Sequence, residues 1–141
     1  MFIVFEGIDG CGKSTQIMKL AEFIFNKNKY NNIILTREPY KLREIREILR
    51  LNESPEEKAE KLTELFIADR KEHIEEIIKP GLKKNLIIIC DRYKYSTICY
   101  QSAQGQDIKK LVEMHQSMPV PDFVFILDLP VNASAERMRK D

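Results

Sequence analysis

The sequence predicts an α/β fold: three αβα layers around a parallel sheet of four strands, in a single domain over residues 1–141. Three observations predict it. Short apolar runs recur along the chain, segments with helical apolar spacing separate them, and a glycine-rich turn joins the first run to the first helix. Strands alternating with helices imply parallel neighbours and right-handed crossovers.

The first strand is Phe2-Ile3-Val4-Phe5, a buried apolar run. It leads into Gly7-Ile8-Asp9-Gly10-Cys11-Gly12-Lys13-Ser14, which fits the Walker A pattern G-x-x-x-x-G-K-[ST] in full. Apolar residues then recur at Ile17, Leu20, Ala21, Ile24 and Phe25, a helical spacing. Strand, turn and helix in this order set the helix N-terminus, with its free N–H groups and positive dipole end, against an anion. Glycines let the backbone wrap a phosphate, Lys13 brings a positive charge to the β and γ phosphates, and the Ser14 hydroxyl can ligate magnesium. The expected fold is therefore that of the P-loop NTPases, handling a nucleoside triphosphate.

An Asn/Lys-rich turn, Asn26 to Asn32, precedes a second strand at Ile33-Ile34-Leu35-Thr36. Leu42 to Leu51 reads as a short helix. Ser54-Pro55-Glu56-Glu57 reads as a helix start, with Ser as N-cap, Pro in the first position and acids in the first turn. That helix is expected to run to Ile78 and end at Lys79-Pro80-Gly81. Leu86 to Cys90 is a buried third strand. Helices follow near Tyr95 and Asp107, then a fourth strand over Phe123 to Leu127 and a last helix from Asn132.

Formal net charge is +1, from 23 basic and 22 acidic residues, so no strongly basic nucleic-acid surface is indicated. No apolar run approaches the ~20 residues of a membrane span, and the first strand starts without a leader segment, so no membrane association is expected. Cys11, Cys90 and Cys99 are odd in number and form no C-x-x-C, which suits a reducing cytoplasm. His73 and His115 show no zinc-like spacing and are expected on helix surfaces.

In sheets of this kind, ligands sit at the carboxyl ends of strands. Strand two ends at Thr36-Arg37-Glu38-Pro39 and strand three at Asp91-Arg92-Tyr93. Asp91 has the position of a Walker B acid, where it can hold magnesium; a helix cap or a salt bridge to Arg92 is the other reading. Arg92 can fork onto a phosphate. Phe66 and Arg70 share a helix face. Together they can stack on a base and hydrogen-bond it, although a core Phe beside an exposed Arg is the simpler reading of that pair alone. Gln101 can satisfy a donor and an acceptor on a base edge.

Taken together, these segments resemble the thymidylate kinases, P-loop enzymes that transfer the γ-phosphoryl group of ATP to dTMP. The resemblance rests on Phe5-Glu6-Gly7-Ile8-Asp9-Gly10 with Gly12-Lys13-Ser14-Thr15-Gln16, then Thr36-Arg37-Glu38-Pro39 and Leu65-Phe66-Ile67-Ala68-Asp69-Arg70. It continues through Ile78-Lys79-Pro80, Asp91-Arg92-Tyr93, Ser96-Thr97, Tyr100-Gln101 and Pro121-Asp122. It implies ATP and Mg²⁺ as cofactors. Gly7, Asp9, Gly10, Cys11, Gly12, Lys13, Ser14 and Thr15 would hold the ATP phosphates, and Ser14 and Asp91 the metal. Lys13, Asp9, Arg92 and Glu38 would be the catalytic set, with Asp9 and Glu38 near the sugar, phosphate and metal. Arg92 and Arg46 would bind the dTMP phosphate. Phe66 would stack on thymine, Arg70 and Gln101 would bond its edge, Thr97 would line the base pocket, and Tyr100 would crowd the 2′ position. A cytoplasmic homodimer is expected.

The chain departs from the family pattern in two places. Tyr40-Lys41-Leu42 follows Thr-Arg-Glu-Pro where many relatives have Gly-Gly and a longer loop. Arg137-Met138-Arg139-Lys140-Asp141 comes before the arginine-bearing lid and fifth strand of relatives, so the domain is expected to be C-terminally short, with strand one or four partly unpaired. Two other readings remain open at this stage. One is a module that binds dTMP and ATP phosphates with little turnover; the other is a P-loop kinase for another nucleotide or nucleoside.

Overall fold

The computed structural model describes residues 1–41, 45 and 55–139, with 55–58 as backbone alone. The helix expected over Leu42–Leu51 falls outside them except at Ile45, as do Arg46 and Ser54. In chain order the elements are β1 (Phe2–Glu6), α1 (Lys13–Lys27), β2 (Ile33–Arg37), α2 (Pro55–His73), a π-helical turn (Ile74–Ile78) and α3 (Lys79–Lys83). Then come β3 (Ile87–Asp91), α4 (Lys94–Ala103), α5 (Ile108–Met114), β4 (Phe123–Ile126) and α6 (Val131–Met138).

The four strands form one parallel sheet in the order β2-β3-β1-β4. Strand side chains alternate between faces, so β1 and β3 divide between two cores. Phe2, Val4, Ile88 and Cys90 pack with Ile67, Ile74 and Ile78 of α2 and the π turn. Ile3, Phe5 and Ile89 pack with Ile17, Leu20 and Ile24 of α1. This is the expected αβα arrangement, and burial on both faces explains the unbroken apolar runs. The expectation of an open edge is met at β4 and not at β1. β1 pairs on both sides, while Phe123, Phe125 and Ile126 of β4 are exposed.

The helix expected to stop at Lys79-Pro80-Gly81 continues through it. Lys79 donates to the carbonyl of Ile74, five residues back, which widens the turn. Pro80 directly follows this widened turn, which leaves its ring more room against the carbonyls before it. Gly81 lets the helix press on the sheet: a Cβ there would lie 2.9 Å from Ile88 Cδ1 and 3.2 Å from Ile34 Cδ1. The end comes at Asn85, left-handed at φ 57°, with Leu86 N–H donating to the Gly81 carbonyl at 2.9 Å.

Register brings the strand ends to one rim. Asp91 lies beside Phe5 on one side and Arg37 on the other. The ladder runs on past the strands: Arg92 N–H donates to the Phe5 carbonyl at 2.8 Å, and Glu38 N–H to the Asp91 carbonyl at 3.0 Å.

Candidate active site

The glycine-rich turn folds tightly at this rim. Gly7, Gly10 and Gly12 all have positive φ, and a Cβ on Gly7 would lie 2.7 Å from the Leu127 carbonyl oxygen. Gly12 opens α1, so the first N–H groups of that helix face the turn. The Lys13 ammonium is buried over the loop, donating to the Gly7 and Ile8 carbonyls at 3.1 and 2.9 Å. Ser14, Thr15, Asp91 and Arg137 line the cleft in front of it, about 570 Å³ in volume. Asp91 Oδ1 is buried there without a hydrogen-bond partner. Burial raises the Asp91 pKa, against the opposing charges of Lys13 and Arg92. An unsatisfied carboxylate oxygen and a serine on the same cleft offer hard-oxygen donors of the kind magnesium takes.

A second cleft, about 470 Å³, opens on the other side of Arg92. Asp9 and Arg92 line both clefts. Arg92 Nη2 donates to Asp9 Oδ1 at 2.5 Å and Nη1 to Ser96 Oγ at 2.9 Å, and the guanidinium carbon lies 5.5 Å from the Tyr100 ring centre. The anchor behind this arrangement is Glu6. Its carboxylate accepts from Tyr93 N–H at 2.9 Å, Ser96 N–H at 3.3 Å and Ser96 Oγ at 2.5 Å. A strand residue thus caps α4, whose own N-cap supplies no side-chain bond. Burial raises the Glu6 pKa despite these donors.

At the far end of the second cleft, Arg70 is buried, not exposed as the residue pair alone suggested. Nε donates to Glu38 Oε2 at 2.6 Å and Nη2 to Thr97 Oγ1 at 2.8 Å, while Nη1 lies 2.7 Å from His115 Nε2. The other Glu38 oxygen lies 3.0 Å from His73 Nδ1, and His73 Nε2 lies 2.8 Å from Thr36 Oγ1. Both histidines, expected on helix surfaces, are buried to 1% exposure or less. Their ring nitrogens meet carboxylate and guanidinium groups from other elements, so ring and charge are satisfied inside the fold.

The structure therefore brings Asp9, Glu38, Phe66, Arg70, Arg92, Thr97, Tyr100 and Gln101 onto one cleft, and Gly10, Gly12, Lys13, Ser14, Thr15 and Asp91 onto its neighbour. Gly7 and Cys11 lie within the turn between β1 and α1. Both Glu38 oxygens are engaged, by Arg70 and His73, and Glu38 shares the second cleft with Asp9 and Arg92. Arg46 lies outside the described residues. Sequence reasoning missed the parts played by Glu6, His73 and His115. An acid directly after the Phe2–Phe5 run could have pointed to Glu6, and the three-residue step from Arg70 to His73; nothing local marked His115. Among the described residues, no group of three or more His, Cys, Asp or Glu side chains could hold a metal by itself.

Comparison with known proteins gives one consistent result. A family model described as thymidylate kinase matches residues 5–141. A probable thymidylate kinase of Thermococcus kodakarensis is 42% identical over 150 residues, covering 99% of this chain and 71% of that protein. A probable thymidylate kinase of Sulfurisphaera tokodaii is 45% identical over 140 residues, with coverage of 99% and 70%. The crystal structure of thymidylate kinase from Ehrlichia chaffeensis superposes with a TM-score of 0.81 at 38% identity, covering 99% of this chain and 82% of that one.

Proposed function

The chain belongs to the thymidylate kinase family, and from that premise we propose that it transfers the γ-phosphoryl group of ATP to dTMP, giving dTDP. The observation that carries the proposal is the pair of adjoining clefts with Asp9 and Arg92 in common. One cleft is built for phosphates and the other for a base, and the residues shared between them stand where two phosphates would meet.

The roles follow from chemistry. Lys13 and the N–H groups of the loop from Gly7 to Thr15, Cys11 included, hold the ATP phosphates. Ser14 and Asp91 would hold Mg²⁺, which when bound screens the charge of the transferring phosphoryl group. Arg92 binds the dTMP phosphate, oriented by Asp9 and, through Ser96, by Glu6. That phosphate is already an anion, so no strong base is required; the protein's work is alignment and charge cancellation. Phe66 stacks on thymine, Arg70 and Gln101 hydrogen-bond its edge, and Thr97 closes the pocket. Tyr100, held beside Arg92, crowds the 2′ position. Glu38 orients Arg70.

The proposal includes a cytoplasmic homodimer without a nucleic-acid partner. Among the described residues, no helix is long and apolar enough to cross a membrane. The test is dTDP formation from dTMP and Mg-ATP, with dUMP, dCMP, dGMP and AMP alongside. Turnover selective for dTMP is expected. A slower reaction with dUMP is also expected, since a lost methyl contact is worth only ~1–3 kcal/mol. Preference for another base would overturn the proposal.

A further inference from the structure

His115 does not line either cleft, yet it touches the side chain that reads the base. It follows α5, and its Nδ1 lies 2.6 Å from the Leu111 carbonyl oxygen. Its Nε2 lies 2.7 Å from Arg70 Nη1. A carbonyl can only accept a hydrogen bond, and a guanidinium can only donate. Only one form of the ring satisfies both partners: neutral, with its proton on Nδ1 and a lone pair on Nε2. A proton on Nε2 would set donor against donor, and cation against cation.

Arg70 has five N–H groups. Three are engaged, by Glu38, Thr97 and His115. One N–H on each terminal nitrogen has no partner among these three, and Arg70 lines the cleft, where such a pair suits a carbonyl oxygen on a base edge. Glu38 grips the inner edge of the guanidinium, and Thr97 and His115 fix its two outer corners. Without His115, Nη1 loses its partner and the plane is held by Glu38 and Thr97 on the other side alone.

We propose that His115 is a positioning residue for Arg70: its neutral imidazole fixes the guanidinium toward the nucleobase, and a proton on Nε2 disengages base recognition. The proposal rests on the reading of this cleft as the base site. The charged groups facing the imidazole are Arg70 of α2, Lys94 of α4 and Glu38 after β2. Burial first, with Arg70 and Lys94 beside it, lowers the His115 pKa below the usual 6.5, against the Leu111 bond and Glu38. The clamp is therefore closed at neutral pH and opens on acidification.

The test compares wild type with His115→Leu and His115→Gln, varying dTMP and ATP separately from about pH 5.5 to about pH 8. Leu removes the acceptor. Gln offers an amide oxygen to Arg70 and an N–H to Leu111. His115→Leu is expected to raise the KM for dTMP about tenfold, the size of one charge-assisted bond, with the KM for ATP within about twofold. His115→Gln should stay within about threefold of wild type at neutral pH. The dTMP phosphate, with a second pKa near ~6, titrates identically in all three. The wild-type KM for dTMP should therefore climb above that of His115→Gln only at the acid end.

Equal dTMP KM values in all three proteins, or coincident pH profiles for wild type and His115→Gln, would overturn the proposal. Should His115→Leu fail to fold, ¹⁵N spectra of the wild-type imidazoles decide: the Nδ1–H form supports the proposal and the Nε2–H form refutes it. That measurement needs no nucleotide, so it fails or succeeds independently of whether dTMP is the substrate.

Discussion

Replacing Arg92 by alanine tests the division between the two clefts. Of its five N–H groups, one donates to Ser96 and one to Asp9, and Tyr100 engages another, which leaves two for a phosphate between the clefts. Two charge-assisted bonds, each ~1.5–3 kcal/mol, set an upper range near ~6 kcal/mol. Asp9 is largely exposed and rehydrates when its partner is removed, which offsets part of the loss. The net expectation is about 3 kcal/mol, roughly a hundredfold in kcat/KM for dTMP, with the KM for ATP within about threefold. Alanine is preferred to glycine because Arg92 sits at φ 70°, where glycine would also relieve the backbone. Arg92→Lys keeps the charge without the fork and should recover about tenfold. Initial rates of ADP release with each substrate varied in turn measure all of this. Equal losses for dTMP and ATP, or an unchanged KM for dTMP, would refute the assignment.

The remaining predictions address the other cleft, the sheet and the polar cluster. Lys13→Ala should reverse the pattern, lowering kcat with ATP by at least about a hundredfold while dTMP binding by calorimetry stays within about threefold. Gly81→Val drives carbon into Ile88 and Ile34 and should cost about 1–3 kcal/mol, read as a drop in Tm of several degrees with the base preference unchanged. His115 has a depressed pKa in the fold, so the unfolded chain binds its proton more readily. Stability is then complete above the unfolded value of 6.5 and is lost as pH falls through the folded value. Wild-type Tm should accordingly fall more steeply on acidification than that of His115→Gln, and parallel curves would contradict it.

What was legible in the chain was what is local. The wrap from Gly7 to Ser14 is written in consecutive residues, because a turn with three positive-φ glycines admits few others. Asp91 and Arg92 were found because a buried strand ends there. Arg70 was legible as a face-mate of Phe66 but not as a buried group, since helical spacing gives the face without saying what meets it. Its partners Glu38, Thr97 and His115 lie 32, 27 and 45 residues away. Glu6 directly follows the apolar run Phe2–Phe5, and only the register of β1 against β3 turns it into the cap of α4. Pro80 misled for a comparable reason: its usual meaning as a helix stop assumes a regular turn before it, and the turn here is π.

That π turn also bears on how the chain tolerates insertion and deletion. It holds one residue more than an α turn within about one circuit of the axis, so the extra residue is absorbed locally. Losing a single residue between Ile74 and Ile78 would restore a regular α turn and leave Gly81 facing Ile88 and Ile34, with Arg70 and His73 in place upstream. Losing one from the regular part of α2 would instead turn the two ends against each other by about 100°. This segment therefore tolerates a change of length that the helix before it does not, and none of its residues lines either cleft.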